Sequence, residues 1–241
     1  MQEHIILCKS LLVNIASPIT GRVYKMFDYR IARKNMVNNL IRPANVTNQK
    51  LLLALENVQR DKFLPNNLAS LSYSETELLI QNDRKAISPW LLAKMLQSLN
   101  IKSKDNILSL ATGFGYSCAL MSSLANFVVA VERSDLAQEA QSRLIENGYD
   151  NILVKEGNIY EGAEKEGPYD VIFIEGAVEV INKEILHQLK QGGRIITIFK
   201  EKNLGQCRIG IKTTIGVQWD NFFEANCILL DEFKKEIEFK L

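Results

Sequence analysis

Asn106-Ile-Leu-Ser-Leu-Ala-Thr-Gly-Phe-Gly-Tyr116, followed by Phe127-Val-Val-Ala-Val-Glu-Arg133, is the stretch that decides the fold. An apolar strand runs into a glycine turn. A helix follows, and a second apolar strand ends in an acid. This is the front half of a nucleotide-binding βαβ unit. Glu132 lies 17 residues after Gly115. That spacing sets a carboxylate at the tip of the second strand, beside the turn, where it can accept both hydroxyls of a ribose. The turn is also unusual, because Ser109 and Ala111 stand where such turns commonly carry an acid and a glycine.

The same alternation extends outward from this unit. Strands are expected at 106–110, 127–131, 151–155, 170–174 and 193–199, each an apolar run suited to a parallel sheet buried on both faces. Helices are expected at 115–125, 135–147 and 179–190, the second closed by Gly148 and the third by Gly192-Gly193. Past Lys200, residues 206–218 alternate and suit an antiparallel hairpin at the sheet edge, and Ile237 with Phe239 suggests a last edge strand. Upstream, residues 26–98 read as helical. Thr47 is the expected N-cap of one helix and Ser88, before Pro89, of another. The domain reading is therefore an extension over 1–25, loosely ordered, a helical layer over 26–98 and a Rossmann-like core over 99–241, with Met26 as the natural start of the folded part.

Composition limits the partners. With 241 residues, 46% hydrophobic content and a net charge of +1, the chain suits one globular α/β domain and carries no overall basic footprint for nucleic acid. No apolar run is long enough to span a membrane. The four cysteines, Cys8, Cys118, Cys207 and Cys227, form no CxxC pair and only two histidines could assist them, so no metal site is expected. They read as reduced core residues of a cytoplasmic protein.

Taken in order, these segments resemble the protein-L-isoaspartate O-methyltransferases. The resemblance spans about 36 to 200. It rests on Met36-Val-Asn-Asn-Leu-Ile-Arg42, Val58-Gln-Arg-Asp-Lys-Phe-Leu-Pro65, Ile87-Ser-Pro89, Ala111-Thr-Gly-Phe-Gly-Tyr116, Val131-Glu-Arg133, Gly148-Tyr-Asp-Asn-Ile152, Gly157-Asn-Ile159, Pro168-Tyr-Asp-Val-Ile172 and Gln188-Leu-Lys-Gln-Gly-Gly-Arg194. It implies a Rossmann-like fold with a mostly parallel sheet, antiparallel edge strands and an N-terminal helical layer. It further implies S-adenosylmethionine as cofactor, and methylation of the carboxylate of L-isoaspartyl residues in damaged proteins or peptides. The departures mark a divergent branch: Lys85-Ala86 for Gln-Thr, Ser109 for an acid, Ala111 for a glycine, Phe114 for Ser, Asn158 for an acid and Glu175 for Thr.

The resemblance assigns Ala111, Thr112, Gly113, Gly115, Tyr116, Glu132 and Asn158 to the cofactor and Ser88 to the methyl acceptor. Each has a plainer reading. Glu132 could be a solvated strand-end carboxylate or pair with Arg133. The glycines could serve packing alone, Asn158 could be a turn residue, and Ser88 could be only a helix cap. Ala111 places a methyl where the cofactor approaches; overpacking of about 1–3 kcal/mol lowers affinity about 5- to 150-fold. Asn158 keeps an acceptor for the adenine amino group. Arg84-Lys85 reads as a solvated charge pair that could also attract a peptide carboxylate at the site rim, and His187 as structural. Two rival functions stay open: a methyltransferase of this fold with another acceptor, and a non-catalytic binding protein with a degenerate cofactor site. An NAD oxidoreductase ranks behind both, since no His–Asp or Tyr–Lys pair suits hydride chemistry.

Overall fold

The computed structural model describes residues 12–16, 23–81 and 83–235. Its centre is a seven-stranded sheet. Strands β5 (Asn106–Leu110), β6 (Phe127–Glu132), β7 (Ile152–Glu156), β8 (Tyr169–Val178) and β9 (Leu189–Glu201) run parallel, and β10 (Leu204–Thr213) with β11 (Gly216–Glu224) adds an antiparallel edge. The spatial order is β11-β10-β9-β8-β5-β6-β7.

The expected apolar runs are apolar because both faces are covered. Ile107, Val128, Ala130, Val171, Phe173, Ile196 and Ile198 belong to one core cluster, and Leu108, Leu110, Val129, Val131, Ile172, Ile174 and Ile195 to the other. Neighbouring residues thus feed opposite faces, as the two-residue strand repeat requires. The first cluster also takes in the helical layer. Helix α1 (Tyr29–Met36) is capped by Asp28 and continues as a π-turn over Val37–Ile41, followed by α2 (Gln49–Asn57) and α3 (Pro89–Leu99). Met36, Ile41, Leu51, Leu55, Leu91 and Met95 from these segments join Cys118–Met121 of α4 (Tyr116–Ser122) in one continuous core.

Several local expectations differ. Asn48, not Thr47, caps α2, its side chain accepting from the Leu51 N–H at 3.2 Å. The helix expected at 179–190 shrinks to α6 (Lys183–His187), and Gly192-Gly193 lies inside β9. The register jumps there from Tyr169↔Leu189 to Val171↔Arg194, so the extra residues bulge at Gly192, whose φ of 73° is left-handed. Residues 26–98 are not wholly helical. β3 (Leu78–Gln81) and β4 (Arg84–Ala86) form a small antiparallel hairpin. Within the N-terminal extension, β1 (Leu12–Ala16) pairs antiparallel with β2 (Val23–Phe27), so Met26 falls inside a strand. The edge strand expected at Ile237 and Phe239 lies outside the described residues. α5 (Ser134–Glu146) ends before Gly148, as expected.

Candidate functional site

The site is built where β5 and β6 end. After Leu110 the chain takes three left-handed residues in five: Ala111 (φ 61°), Gly113 (φ 55°) and Gly115 (φ 92°). Glycine accepts this at no steric cost, whereas alanine is strained by about 1–2 kcal/mol. The turn is held by the Ala111 N–H donating to Val131 O at 3.2 Å and the Gly115 N–H to Thr112 O at 3.0 Å. Gly115 then serves as N-cap of α4. Thr112 and Tyr116 are buried, and neither hydroxyl has a partner among the described residues.

Glu132 sits beneath this turn and is neither solvated nor paired with the Arg133 side chain. It is 0% exposed, and its Oε1 lies 3.0 Å from Nη2 of Arg84, itself 1% exposed. The Arg133 backbone N–H donates to Oε1 and the Gly113 N–H to Oε2, each at 3.0 Å. Burial pushes the Glu132 carboxyl above its ordinary value, while Arg84 and the two N–H groups pull the other way. The reading of Arg84 as a solvated charge is overturned. A buried guanidinium is costly unless it is paired or hydrogen-bonded; Arg84 is paired with Glu132, with Glu232 at 3.4 Å on the rim.

Arg84 arrives on the β3–β4 hairpin, which covers the turn. Leu78 and Ile80 pack with Leu64, Ala86 and Phe114 in a separate apolar cluster. A Cβ placed on Gly113 would meet Ile80 Cδ1 at 2.6 Å, so the open face of this glycine is filled by the chain itself. Asp83 pairs with Arg133 at 2.6 Å, and Gln81 donates to Asp135 at 2.6 Å.

A second polar group lies at the start of α4. Arg60 is buried and donates from Nη2 to Ile87 O at 2.7 Å, with its guanidinium 4.8 Å from the Tyr116 ring centroid. Its Nε and Nη1 have no partner among the described residues. Burial lowers its pKa from the ordinary value. Glu175, near the end of β8, is buried and accepts from Ser117 Oγ. Burial pushes its carboxyl up to about 7, against the pull of Ser117 and Arg60. Ser88 follows Ile87 and takes the N-cap position of α3 with φ −60° and ψ 146°, but its side chain makes no capping hydrogen bond. The helix-cap reading thus holds for the backbone of Ser88 and fails for its hydroxyl.

Asn158 is exposed and lines a cleft of about 360 Å³ with Tyr160, Val180, Glu232 and Lys234. Its Oδ1 accepts from the Tyr160 N–H at 3.0 Å, and a carbonyl oxygen has a second lone pair to offer. The neighbouring Gly157 N–H donates to Glu132 O at 3.0 Å, so the cleft adjoins the β6 tip.

The sequence profile of the protein-L-isoaspartate(D-aspartate) O-methyltransferase family matches residues 31–212. This chain belongs to that family. A protein-L-isoaspartate O-methyltransferase of Methanoculleus marisnigri is 34% identical over 168 residues, covering 69% of this chain and 76% of its own. Protein-L-isoaspartate O-methyltransferase 2 of Shewanella sediminis is 32% identical, with 70% and 69% covered. Among solved structures, a protein-L-isoaspartate O-methyltransferase superposes with TM-score 0.74 at 23% identity, over 84% of this chain and 67% of that one. A Plasmodium falciparum structure solved in complex with S-adenosyl-L-homocysteine superposes with TM-score 0.72 at 19% identity, over 83% and 98%. Both likenesses carry the methyltransferase fold: a parallel sheet with an antiparallel edge and flanking helices.

A strand-tip carboxylate, a turn with two glycines and an amide at 158 suit the ribose, the backbone approach and the base of a nucleoside. The structure brings Ala111, Thr112, Gly113, Gly115, Tyr116 and Glu132 together and leaves Asn158 at the adjoining cleft. Arg60, Ile80 and Glu232 were missed by sequence reasoning, and Arg84 was read as solvated although it is buried. Glu175 was noticed only as a departure, although an acid ending the apolar run Val171–Ile174 repeats the pattern that singled out Glu132.

Proposed function

We propose that this chain methylates the carboxylate of L-isoaspartyl residues in damaged proteins or peptides, with S-adenosylmethionine as methyl donor. Family membership across residues 31–212 carries this reading. S-adenosylmethionine, when bound, supplies a methyl on a cationic sulfonium: the acceptor oxygen forms the new O–C bond as the C–S bond breaks, leaving a neutral thioether. The acceptor is already an anion, so the chain needs no general base. Its work is in-line positioning in a dry pocket.

Glu132 would hold the ribose hydroxyls, and Asn158 the base. Gly113 and Gly115 would let the backbone approach, with Thr112 and Tyr116 lining the turn and Ala111 narrowing it. Ser88 would orient the acceptor through a hydroxyl that is free of capping duty. Arg60 fixes the backbone of Ile87, next to Ser88, through its 2.7 Å hydrogen bond.

The test is radiolabelled methyl transfer to an isoaspartyl peptide and to its normal aspartyl twin, at saturating cofactor. Labelling of the isoaspartyl peptide alone is expected. Equal labelling of both peptides would remove the isoaspartyl assignment. Labelling of neither, by a protein that binds the cofactor, would point to another acceptor.

A further inference from the structure

We propose that the β3–β4 hairpin is a latch. Arg84 and Ile80 occupy the ribose and backbone-approach positions of the cofactor site, and the cofactor binds only as this hairpin lifts. The proposal rests on the reading that the β5–β6 turn takes S-adenosylmethionine.

Acceptor capacity makes the first argument. An ionised carboxylate offers about four lone-pair positions. Three are used in Glu132, by Arg84 and the Arg133 N–H on Oε1 and by the Gly113 N–H on Oε2. A ribose diol needs two acceptors. The Gly113 N–H belongs to the turn and the Arg133 N–H to the backbone next to Glu132 itself, so Arg84, the side-chain donor, is the partner that has to leave.

Space makes the second. Gly113 without a Cβ gives a nucleoside close access to the backbone. That space is filled by Ile80 Cδ1, which lies 2.6 Å from where a Cβ would stand. The two blocking groups arrive on one hairpin and block two different parts of the seat.

Apart from the Arg84–Glu132 pair and the apolar cluster around Ile80, the fastenings are suited to opening. The links from Asp83 to Arg133 and from Gln81 to Asp135 join partly exposed side chains, and exposed pairs of this kind contribute little. Arg84 also has a second carboxylate waiting. Glu232 lies 3.4 Å from its Nη2, is 29% exposed, and lines the Asn158 cleft. A displaced guanidinium therefore moves outward from one anion towards another instead of being stranded.

Closure lowers apparent affinity by the fraction of molecules that are open. An open state populated at about 0.1–10% weakens binding by about 10- to 1,000-fold. Any substitution that harms only the closed state returns that factor as affinity.

The experiment is calorimetric titration of the full chain with S-adenosylhomocysteine, for the parent, Arg84→Ala and Ile80→Ala. Amide exchange of residues 78–86 is followed with and without ligand. Arg84→Ala is expected to bind at least about tenfold more tightly, Ile80→Ala to bind more tightly than the parent, and the hairpin amides to exchange faster in the liganded parent. Equal or weaker binding by the variants, or a hairpin that gains protection on ligand binding, overturns the latch while leaving the cofactor site standing. No binding by any of the three proteins overturns the cofactor reading and the latch with it. Ile80→Ala leaves the buried ion pair in place, so it decides the matter alone should Arg84→Ala fail to fold.

Discussion

Glu175→Gln tests the buried polar group beside α4 through the pH dependence of stability. Burial moves the Glu175 carboxyl from 4.5 to about 7. At about 1.4 kcal/mol for each tenfold change, that displacement corresponds to about 3 kcal/mol. Between those two values the folded chain keeps a proton that the unfolded chain has released. Stability therefore falls as pH rises through this window: the contribution is whole below 4.5 and lost above about 7. Glutamine keeps the shape and an acceptor for Ser117 Oγ but does not ionise. The amide group it adds shifts all pH values alike. Urea unfolding of parent and variant, at intervals from about pH 5 to pH 8, gives a difference in which other titrating groups cancel. That difference should move in the variant's favour by up to about 3 kcal/mol as pH rises. Parallel curves would refute the reasoning, because they would mean that Arg60, whose charge pulls against the burial of Glu175, holds it ionised throughout. A difference of opposite sign would refute it more strongly.

Three further outcomes are expected. Glu132→Ala should cost about 3 kcal/mol in urea unfolding, the low end for a broken buried pair, because Arg84 keeps Glu232; a carboxylate outside the core would cost nothing. Ala111→Gly relieves a left-handed alanine, but the added freedom of the unfolded chain offsets this. Its unfolding free energy should therefore stay within about 0.5 kcal/mol of the parent, while calorimetry shows S-adenosylhomocysteine binding at least about fivefold tighter. Ser88→Ala, which removes no capping bond, should leave the unfolding free energy within about 0.5 kcal/mol and reduce methyl transfer to an isoaspartyl peptide at least about tenfold.

What the sequence reveals and what it hides divide along a physical line. The parallel strands were legible because a strand buried on both faces must be apolar along its whole length, and β5 coincides with its expected bounds. The third helix was misjudged because Ile185, Leu186 and Leu189 keep a helical spacing, while pairing of Leu189 with Tyr169 draws the chain into β9 instead. Position is a local property and partnership is not. Glu132 was found from its place at a strand tip, yet its ion-pair partner lies 48 residues away on an unforeseen hairpin. A charged residue in a sequence is read as solvated by default, and Arg84 could be placed only once Glu132 was known to be buried. The same rule, an acid closing an apolar strand, applied to Glu175. There the family resemblance directed attention to the lost acid at Ser109 instead of the gained one. β5 and β8 are neighbours, with Leu110 opposite Ile174, so the acid absent from one strand and the acid present on the other flank the same turn. Ser109 and Glu175, which look like decay when each is read alone, thus fall in one place, beside the buried polar residues Arg84, Glu132 and Arg60.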